Sequence, residues 1–335
     1  MSRRVRAATI AAVIATTVAT LLTVPTAVGA APISAAPAAT AKLLSAKVTA
    51  PGRTRITVFA PSMARRITLD VLTPKSKGPR PSIYLLDGID AGVDTNFTQS
   101  DWTKFTKVTT FFAKKNVNVV IPIGGTGSYY SDWLRTDPAY GRYLWETFLT
   151  KELPPLIDAR FTGNGKNYVA GVSMGATSAI ALLARNPSVY TGAAAFSGCL
   201  DLRGPLGIAT VQVGIRGRMG NPDNMWGQPN SPTWRAHDPI RLIPKLRGKH
   251  VFVAFGDGSI DLSANIPAEQ YLAAPVGSAF EAGVKVCSEQ FVAAAARQRV
   301  PITVYRHGGL HTWGYWERDL RVAWPGIARS LGVTS

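Results

Sequence analysis

This sequence of 335 residues has only two cysteines, four histidines and 20 acidic side chains, and each shortage narrows its possible functions. Neither cysteine has metal-type neighbours in the sequence, so we expect no metal site. The glycine-rich residues 124–127 lack the G-x-x-x-x-G-K pattern of a phosphate-binding loop, which disfavours nucleotide binding. We therefore expect no cofactor, and ordinary side chains must carry the chemistry.

The N-terminus is arranged as a targeting segment. Three arginines within the first six residues precede an apolar stretch over residues 7–24, and small residues follow at 28–30. This order predicts a secretory signal peptide over residues 1–30, with an uncleaved anchor as the alternative. Residues 31–50 are expected to form an Ala/Pro-rich lead-in before the catalytic domain, and its first part, residues 31–41, is expected to be flexible. The predicted location is secreted, at the cell envelope or outside the cell.

Basic residues outnumber acidic ones by 37 to 20, which gives a formal net charge of +17. The first 30 residues hold three arginines and no acid, so the remainder keeps +14. A secreted protein this basic is drawn to an anionic envelope surface, and a solvated basic surface that aids solubility is the alternative. We find no basic amphipathic helix with interleaved aromatic residues in the sequence, so no nucleic-acid partner is expected.

Export also bears on the two cysteines, Cys199 and Cys287. An even count in an oxidising compartment permits one disulfide between them, and two buried free thiols are the alternative. The bridge would close a long loop and contribute about 3–5 kcal/mol to stability in the chain-entropy model.

Residues 166–186 read KNYVAGVSMGATSAIALLARN and contain the pattern G-x-S-x-G around Ser173. A short apolar run precedes the pattern, and a helical segment rich in alanine and leucine follows it. This strand–turn–helix order is the setting of a nucleophile elbow. Glycine is needed at 171 and 175 because a Cβ there would crowd the neighbouring strand or helix. Ser173 is the predicted nucleophile, and a buried serine in a glycine-tolerant turn is the alternative.

Strand and helix patterns alternate along the rest of the chain. Residues 55–60 and 67–72 are expected to form an antiparallel pair at a sheet edge. Apolar strands are predicted at 82–86, 118–123, 167–170, 192–196, 250–255 and 302–305. Helices are predicted at 144–156, 176–185, 239–245, 284–297 and 315–331. Together with the elbow, this order indicates an α/β-hydrolase fold, a doubly wound and mostly parallel sheet, in one catalytic domain over residues 51–335.

A serine nucleophile needs a basic imidazole and a carboxylate that orients it. In α/β-hydrolases these residues follow the serine in the order acid, then histidine. His311 lies after the last strand and just before the terminal helix, and it is the predicted base, with His307 as the alternative. By position alone the acid would be Asp257 or Asp261, while Glu281 comes later, after an apparent insertion.

The remaining parts of the predicted site are an oxyanion hole and a wall for the substrate. Two backbone N–H groups must face the developing negative charge. One belongs to Met174, which follows the nucleophile, and the other to Ile89, in the loop after an early strand. Residues 204–232 are rich in Gly, Pro and Asn and are expected to pass over the sheet as a lid or acyl-binding wall.

Several further motifs occur together and in order. They are PSM at 61–63, YLLDG at 84–88, PIGG at 122–125, YSDW at 130–133, WETFLT at 145–150, DNMWG at 223–227, DP at 238–239, ANIPAE at 264–269, HTW at 311–313 and YW at 315–316. Through them the chain resembles the secreted mycolyltransferases of the mycobacterial antigen 85 type and their corynebacterial and nocardial relatives, which are esterase-D-like α/β-hydrolases. The resemblance covers the chain from Ala60 to the C-terminal helix.

The resemblance implies a Ser–Glu–His triad. The glutamate of the family lies ten residues before a phenylalanine, and here Glu281 stands ten residues before Phe291, so Glu281 becomes the preferred acid. The implied activity is transfer of a mycolic acyl chain between trehalose esters or onto arabinogalactan, through an acyl-enzyme on Ser173. An acyl-trehalose donor and a sugar acceptor are the implied partners, with Asp87 and Trp313 at the sugar site.

Three positions depart from the family. Asp90 stands where the mycobacterial enzymes have a sugar-contacting arginine, Phe105 falls near a sugar-binding asparagine, and Phe255 replaces a cysteine. The first two departures concern the sugar site and the third lies near the acid loop, and all three leave acyl-ester chemistry intact. A secreted carboxylesterase of the esterase-D type is therefore one alternative function. A non-catalytic wall- or matrix-binding protein is the other, and the presence of both Ser173 and His311 argues against it.

Overall fold

The computed structural model of the protein describes residues 39–262 and 274–334. The predicted signal peptide, the first part of the predicted lead-in and the ANIPAE motif at 264–269 lie outside the described residues. Within those two ranges, no helix combines the length and the apolar character needed to cross a membrane.

The described part of the chain contains one mixed sheet of nine strands in the order β1-β2-β3-β5-β4-β6-β7-β8-β9. The strands are β1 Lys42–Ala50, β2 Arg53–Ala60, β3 Arg65–Leu72, β4 Arg80–Leu86, β5 Asn118–Ile123, β6 Gly163–Val172, β7 Tyr190–Phe196, β8 His250–Gly256 and β9 Thr303–His307. β1, β2 and β3 pair antiparallel, β3 also pairs antiparallel with β5, and the other neighbours pair in parallel. The predicted fold class is confirmed.

Helices flank the sheet. They are α1 Asp101–Phe105, α2 Val108–Phe112, α3 Trp145–Thr147, α4 Leu153–Phe161, α5 Met174–Arg185, α6 Pro205–Arg216, α7 Pro222–Trp226, α8 Pro232–His237, α9 Ala274–Arg297 and α10 Trp313–Leu331. The helix predicted at 144–156 is divided by a π-helical turn, Phe148–Glu152, between α3 and α4. The helix predicted at 239–245 is a 3-10 helix, Pro239–Leu246, with a proline inside it.

The predicted lead-in is wrong for Lys42–Ala50, because these residues form strand β1 of the sheet. This strand pairs antiparallel with β2, from Lys42 opposite Phe59 to Ala50 opposite Arg53. It is the edge strand, so β2 and β3 do not form the sheet edge as predicted. Its side chains are exposed on both faces except at its last residue. A strand without a buried face has no alternating apolar pattern, and for this reason β1 was not predicted.

Helix α9 begins at Ala274, ten residues before its predicted start. Its first part contains Pro275, Gly277 and Gly283, and glycine and proline lower intrinsic helix propensity. A tertiary contact stabilises this part, because the N–H of His311 donates to the carbonyl of Gly277 over 3.1 Å. The early start therefore depends on packing against the loop that carries His311.

The sheet separates two buried apolar clusters. Along β6, Val169 belongs to one cluster while its neighbours Tyr168 and Ala170 belong to the other, as expected for alternating side chains. α5 and α9 contribute to the first cluster, and α10 to the second. The parallel strands all end at the same edge of the sheet, where ligands bind in open α/β sheets. The loops after β4, β6, β7, β8 and β9 meet there.

Candidate active site

Ser173 lies in a sharp turn between β6 and α5. Its backbone has φ 52° and ψ −118°, a strained conformation for a residue with a Cβ. The N–H of Ser173 donates to the carbonyl of Phe196 over 2.9 Å, which ties the turn to β7. A Cβ at Gly171 would lie 2.3 Å from the carbonyl oxygen of Gly175, and one at Gly175 would lie 2.5 Å from that of Asp87. Only glycine fits these two positions.

Ser173, His311 and Glu281 form one hydrogen-bonded line. The Nε2 atom of His311 lies 2.9 Å from the Oγ atom of Ser173, and Nδ1 lies 2.7 Å from Oε2 of Glu281. Since an ionised carboxylate can only accept, the imidazole proton lies on Nδ1 and leaves Nε2 free to accept from the serine hydroxyl. This is the arrangement of nucleophile, base and orienting acid that acyl-transfer enzymes use.

Glu281 is fully buried in α9 and its second carboxylate oxygen is also paired. Oε1 accepts a hydrogen bond from Ser197 Oγ and another from the Gly256 N–H, each at 2.6 Å. Burial alone would raise the pKa of Glu281, but the hydrogen bond and charge of His311, with these two donors, lower the pKa below its ordinary value of 4.5. The acid is therefore held ionised and in one orientation.

The alternative acids and the alternative base have other partners. Asp257 accepts hydrogen bonds from the N–H and the hydroxyl of Ser259. Asp261 forms an ion pair with Arg318 at 2.5 Å. The Nε2 atom of His307 lies 3.0 Å from Oδ1 of the fully buried Asp319. The Nδ1 atom of His307 lies 2.9 Å from the carbonyl oxygen of Gly308. The carboxylate hydrogen-bonded to His311 is that of Glu281, which the family resemblance favoured over the two that position along the chain favoured.

The two predicted oxyanion residues lie next to the nucleophile. A Cβ at Gly88 would lie 3.6 Å from the Cβ of Ser173, so the loop after β4 passes directly beside it. Ile89 follows, and its carbonyl accepts from the N–H of Gly127 over 3.0 Å. Met174 is the first residue of α5, and an N–H at that position has no acceptor within its own helix. Ile89 and Met174 thus lie beside the nucleophile, as the predicted oxyanion hole requires.

Asp87 does not lie open at the site, as a direct sugar contact would require. Its side chain is fully buried and faces the N-terminus of α1. Oδ1 accepts from Ser100 Oγ over 2.8 Å and from the Trp102 N–H over 3.2 Å, and Oδ2 accepts from the Asp101 N–H over 3.2 Å. Burial, with the nearby charge of Asp101, raises the pKa of Asp87 to about 8. This carboxyl group holds the loop after β4 in place.

Asp101 fixes the other end of the same loop. Its Oδ2 atom accepts from the N–H of Gly92 over 3.1 Å, and burial raises its pKa to about 6. The four residues between Asp87 and Gly92 include Ile89, so the loop after β4 is held at both ends by α1. Ser100 and Asp101 were not among the predicted site residues. A Ser-Asp pair at the start of a short helix was the available signal, because Ser100 caps α1 through the Trp102 N–H.

Trp313 belongs to an aromatic surface beside the base. Its ring stacks on Phe105, with centroids 5.7 Å apart and an angle of 25°, and meets Trp102 edge-on at 5.4 Å. Trp316 lies 5.0 Å from Trp313 and 4.9 Å from the ring of His311. Phe105 and Trp313 are half-buried, so each also exposes part of its ring. Phe105, which departs from the family pattern, thus forms one surface with Trp313, the predicted sugar contact.

Cys199 and Cys287 form a disulfide between the segment after β7 and helix α9. Next to it, the hydroxyl of Ser288 donates to the carbonyl of Gly198 over 2.9 Å. The helix that carries Glu281 is therefore attached to the end of β7 by a covalent bond and by hydrogen bonds.

Comparison with known proteins identifies the family of this site. Residues 60–327 match the family model described as putative esterase. The chain is 32% identical over 289 residues to diacylglycerol acyltransferase/mycolyltransferase Ag85A of Mycobacterium tuberculosis (strain ATCC 25618 / H37Rv), covering 83% of this chain and 81% of that protein. The chain belongs to this esterase family and to its Ag85 mycolyltransferase relatives.

Other comparisons agree with this family assignment. The chain is 31% identical over 286 residues to Ag85B of Mycobacterium leprae (strain TN), which covers 81% of this chain and 82% of that protein. Among solved structures, Mycobacterium tuberculosis MPT51 (FbpC1) is similar with a TM-score of 0.66, at 24% identity, over 89% of this chain and all of that chain. Staphylococcus aureus FphF, a serine hydrolase, matches with a TM-score of 0.61 at 16% identity over 82% of this chain and 98% of that one. These two likenesses support the fold. The predicted family resemblance is confirmed, and this Ag85-related chain is an enzyme of the acyltransferase and ester-hydrolase type.

Proposed function

We propose that this esterase-family protein transfers a mycolic, long-chain acyl group from a trehalose ester to a sugar hydroxyl through an acyl-enzyme on Ser173. The acceptor is a second trehalose ester or cell-wall arabinogalactan. The observation that carries the proposal is the line of Glu281, His311 and Ser173, joined at 2.7 and 2.9 Å, in a chain related to Ag85A. The predicted signal peptide and the net charge of +17 extend the proposal to a secreted protein at an anionic cell envelope.

In the acylation step, His311 Nε2 takes the proton of Ser173 Oγ while this oxygen attacks the carbonyl carbon of the donor ester. The carbonyl electron pair moves onto its oxygen, which the N–H groups of Ile89 and Met174 stabilise. When the tetrahedral intermediate collapses, the bond to the trehalose oxygen breaks and this oxygen takes the proton from His311. The ionised Glu281 stabilises the imidazolium ion meanwhile.

In the transfer step, the hydroxyl of the acceptor replaces the serine hydroxyl. His311 Nε2 takes the proton of the acceptor while the acceptor oxygen attacks the acyl carbon. Collapse breaks the bond to Ser173 Oγ and returns the proton to it. Water in place of the acceptor would give a free acid, so the same residues also support the esterase alternative. Exclusion of water decides between transfer and hydrolysis.

Exposed apolar side chains near the base suit a long acyl chain. The ring of Phe280 is 58% exposed and stacks on the imidazole of His311, with centroids 5.9 Å apart. Val276 and Leu206 are also exposed, on α9 and α6. A Cβ at Gly283 of α9 would lie 3.7 Å from Leu206, so the two helices are in contact. An acyl chain placed along this surface would bury apolar side-chain area that is otherwise exposed to solvent.

The proposed acceptor site is the aromatic surface of Phe105 and Trp313. Sugar rings present C–H groups on their faces, and these pack against exposed aromatic rings. The surface is connected to the base through Trp316, whose ring lies 4.9 Å from that of His311. We propose that a sugar stacked on this surface presents a hydroxyl group to His311.

The direct test is incubation of the purified protein with trehalose monomycolate or a shorter acyl analogue. We expect trehalose diester and a transient increase in mass on Ser173. Ser173→Ala should lower the rate at least about 10⁴-fold, and Glu281→Gln about 10³-fold or more. Glu289→Gln is the matched control on the same helix, since it breaks only an exposed ion pair with Arg306. Release of free acid alone would favour the esterase, and undiminished activity of Ser173→Ala would refute the assignment.

A further inference from the structure

An ion pair links the oxyanion loop to the segment after α6. The Nε atom of Arg218 donates to Oδ1 of Asp90 over 2.5 Å, and Nη2 contacts the same oxygen. Asp90 directly follows Ile89, the proposed oxyanion residue. Arg218 lies two residues beyond the end of α6, and the two residues are 128 positions apart in the chain. The pair is partly exposed, with 37% of the Arg218 side chain and 33% of the Asp90 side chain accessible.

The backbone at each end of this ion pair is held by a further hydrogen bond. The carbonyl of Asp90 accepts from Thr126 Oγ1 over 2.9 Å. The carbonyl of Arg218 accepts from the hydroxyl of Tyr140 over 2.7 Å. The two side chains therefore extend from positioned backbone and connect two segments that are each fixed elsewhere. Such an arrangement can set the distance between the segments.

Helix α6 contacts both sides of the proposed site. A Cβ at Gly214 in α6 would lie 3.3 Å from Cδ1 of Ile89, so this helix packs against the side chain of the oxyanion residue. At its other end, Leu206 contacts α9 near Gly283, in the helix that carries Glu281. The helix thus spans from the acid to the oxyanion loop, along the apolar surface described above.

We propose that the ion pair between Asp90 and Arg218 is a positioning and specificity device, which holds α6 against the oxyanion loop and so couples binding of the acyl chain to alignment of its carbonyl. The specificity part rests on the proposed function of the site. Long acyl chains contact α6 and depend on the pair, whereas short chains leave most of α6 uncovered. A partly exposed ion pair adds little to global stability, so its loss changes selectivity for chain length and leaves unfolding nearly unchanged.

Variants that remove either charge, or exchange the two, test this proposal. The variants are Asp90→Asn, Arg218→Gln and the exchanged double variant Asp90→Arg/Arg218→Asp. Glu289→Gln is the control, because the ion pair of Glu289 with Arg306 is similarly exposed, with 38% of the Glu289 side chain and 50% of the Arg306 side chain accessible. For p-nitrophenyl palmitate, each single variant should lower kcat/KM about tenfold, and p-nitrophenyl butyrate should be affected less. The exchanged variant should recover most of the selectivity, since it restores the attraction. Equal chain-length selectivity in all variants, or no recovery on exchange, would overturn the proposal.

Hydrogen exchange gives a second measurement that needs no activity. Asp90→Asn should accelerate amide exchange in residues 214–220, and Arg218→Gln should accelerate it in residues 88–92, while Glu289→Gln should change neither segment. Unaltered exchange in both segments would show that the pair positions nothing, even if the wild-type protein transfers acyl groups. Failure of the wild-type protein to form an acyl-enzyme, with reciprocal changes in exchange, would instead refute the proposed function and retain the positioning role.

Discussion

The backbone of Ser173, in the turn between β6 and α5, is strained. Ser173 has φ 52° and ψ −118°, and a residue with a Cβ in such a conformation costs about 1–3 kcal/mol. The chain packs closely around this turn. A Cβ would lie 2.3 Å from a backbone oxygen at Gly171 and 2.5 Å from one at Gly175. The conformation places the hydroxyl 2.9 Å from Nε2 of His311. A substitution that relieves the strain should therefore raise the free energy of unfolding.

Replacement of Ser173 by glycine should stabilise the protein more than replacement by alanine. Both variants lack the hydroxyl and should be inactive, but only glycine adopts a positive φ without strain. The relief of about 1–3 kcal/mol is reduced by about 0.4–1 kcal/mol because glycine makes the unfolded chain more flexible. Urea denaturation should give Ser173→Gly a higher free energy of unfolding than Ser173→Ala. An equal or lower value for the glycine variant would contradict the strain.

The buried carboxylate of Glu281 should make stability depend on pH. Its pKa is lowered in the folded protein, and the unfolded value is near 4.5, so the ionised group stabilises the fold. This contribution is complete above pH 4.5 and is lost as the pH falls below 4.5 through the folded pKa. Glu281→Gln cannot titrate, so the difference in unfolding free energy between wild type and variant should shrink on acidification. A difference that stays constant from pH 7 to pH 3 would be inconsistent with this assignment.

Among the helices and strands, α9 has the strongest influence on the geometry of the site. It supplies Glu281, contacts the loop of His311 through Gly277, and is bound to the end of β7 by the disulfide of Cys199 and Cys287. Because the acid belongs to a helix and not to a loop after β8, its alignment depends on how the whole helix sits. The disulfide limits that movement.

Removal of the disulfide should lower both stability and turnover. The two cysteines are 88 residues apart, and closing a loop of this length contributes about 4–5 kcal/mol in the chain-entropy model. The double variant Cys199→Ser/Cys287→Ser should therefore unfold at a clearly lower denaturant concentration. Its kcat should fall more than its KM changes, since α9 would hold Glu281 less well. Wild-type unfolding behaviour in the double variant would argue against this contribution.

The elements also show how far local patterns reach. Residues 118–123 were predicted as a strand and are strand β5, because an apolar run between polar segments indicates a buried strand. β1 has exposed side chains along nearly all of its length, and its pairing with β2 had no apolar signal. The start of α9 contains helix-breaking residues that a distant loop compensates. The sequence predicts elements where burial repeats with the period of the element, and it fails where pairing or a remote contact provides the stability.

For the molecule as a whole, the excess of positive charge is the most general property. Residues 39–334 contain every acidic residue of the chain and all but three of its lysines and arginines, so they keep a net charge of +14. Surface charge of one sign raises the local concentration of the molecule near oppositely charged surfaces, and salt screens it within about 8–10 Å at physiological ionic strength.

This charge should direct the protein to anionic surfaces independently of catalysis. Vesicles with anionic lipid should bind the chain without residues 1–30, and vesicles of neutral lipid should bind it much less. Raising the salt concentration to about 0.5 M should weaken binding, because screening shortens the range of the attraction. Ser173→Ala should bind as the wild type does. Binding that is equal on neutral vesicles, or insensitive to salt, would show that the charge only serves solubility.

The sequence by itself determined the parts of this protein that follow local rules. The elbow around Ser173, the strands before and after it, and the position of His311 behind the last strand all follow from short motifs and apolar runs. Position along the chain left the acid open, and the family resemblance favoured Glu281. Only the tertiary structure brings that carboxylate to the imidazole of His311, which lies 30 residues from Glu281 and 138 from Ser173. It also buried Asp87 against α1 and paired Asp90 with Arg218. Such contacts join residues from distant elements, and only the packing of the whole sheet and its helices brings their atoms within hydrogen-bond distance.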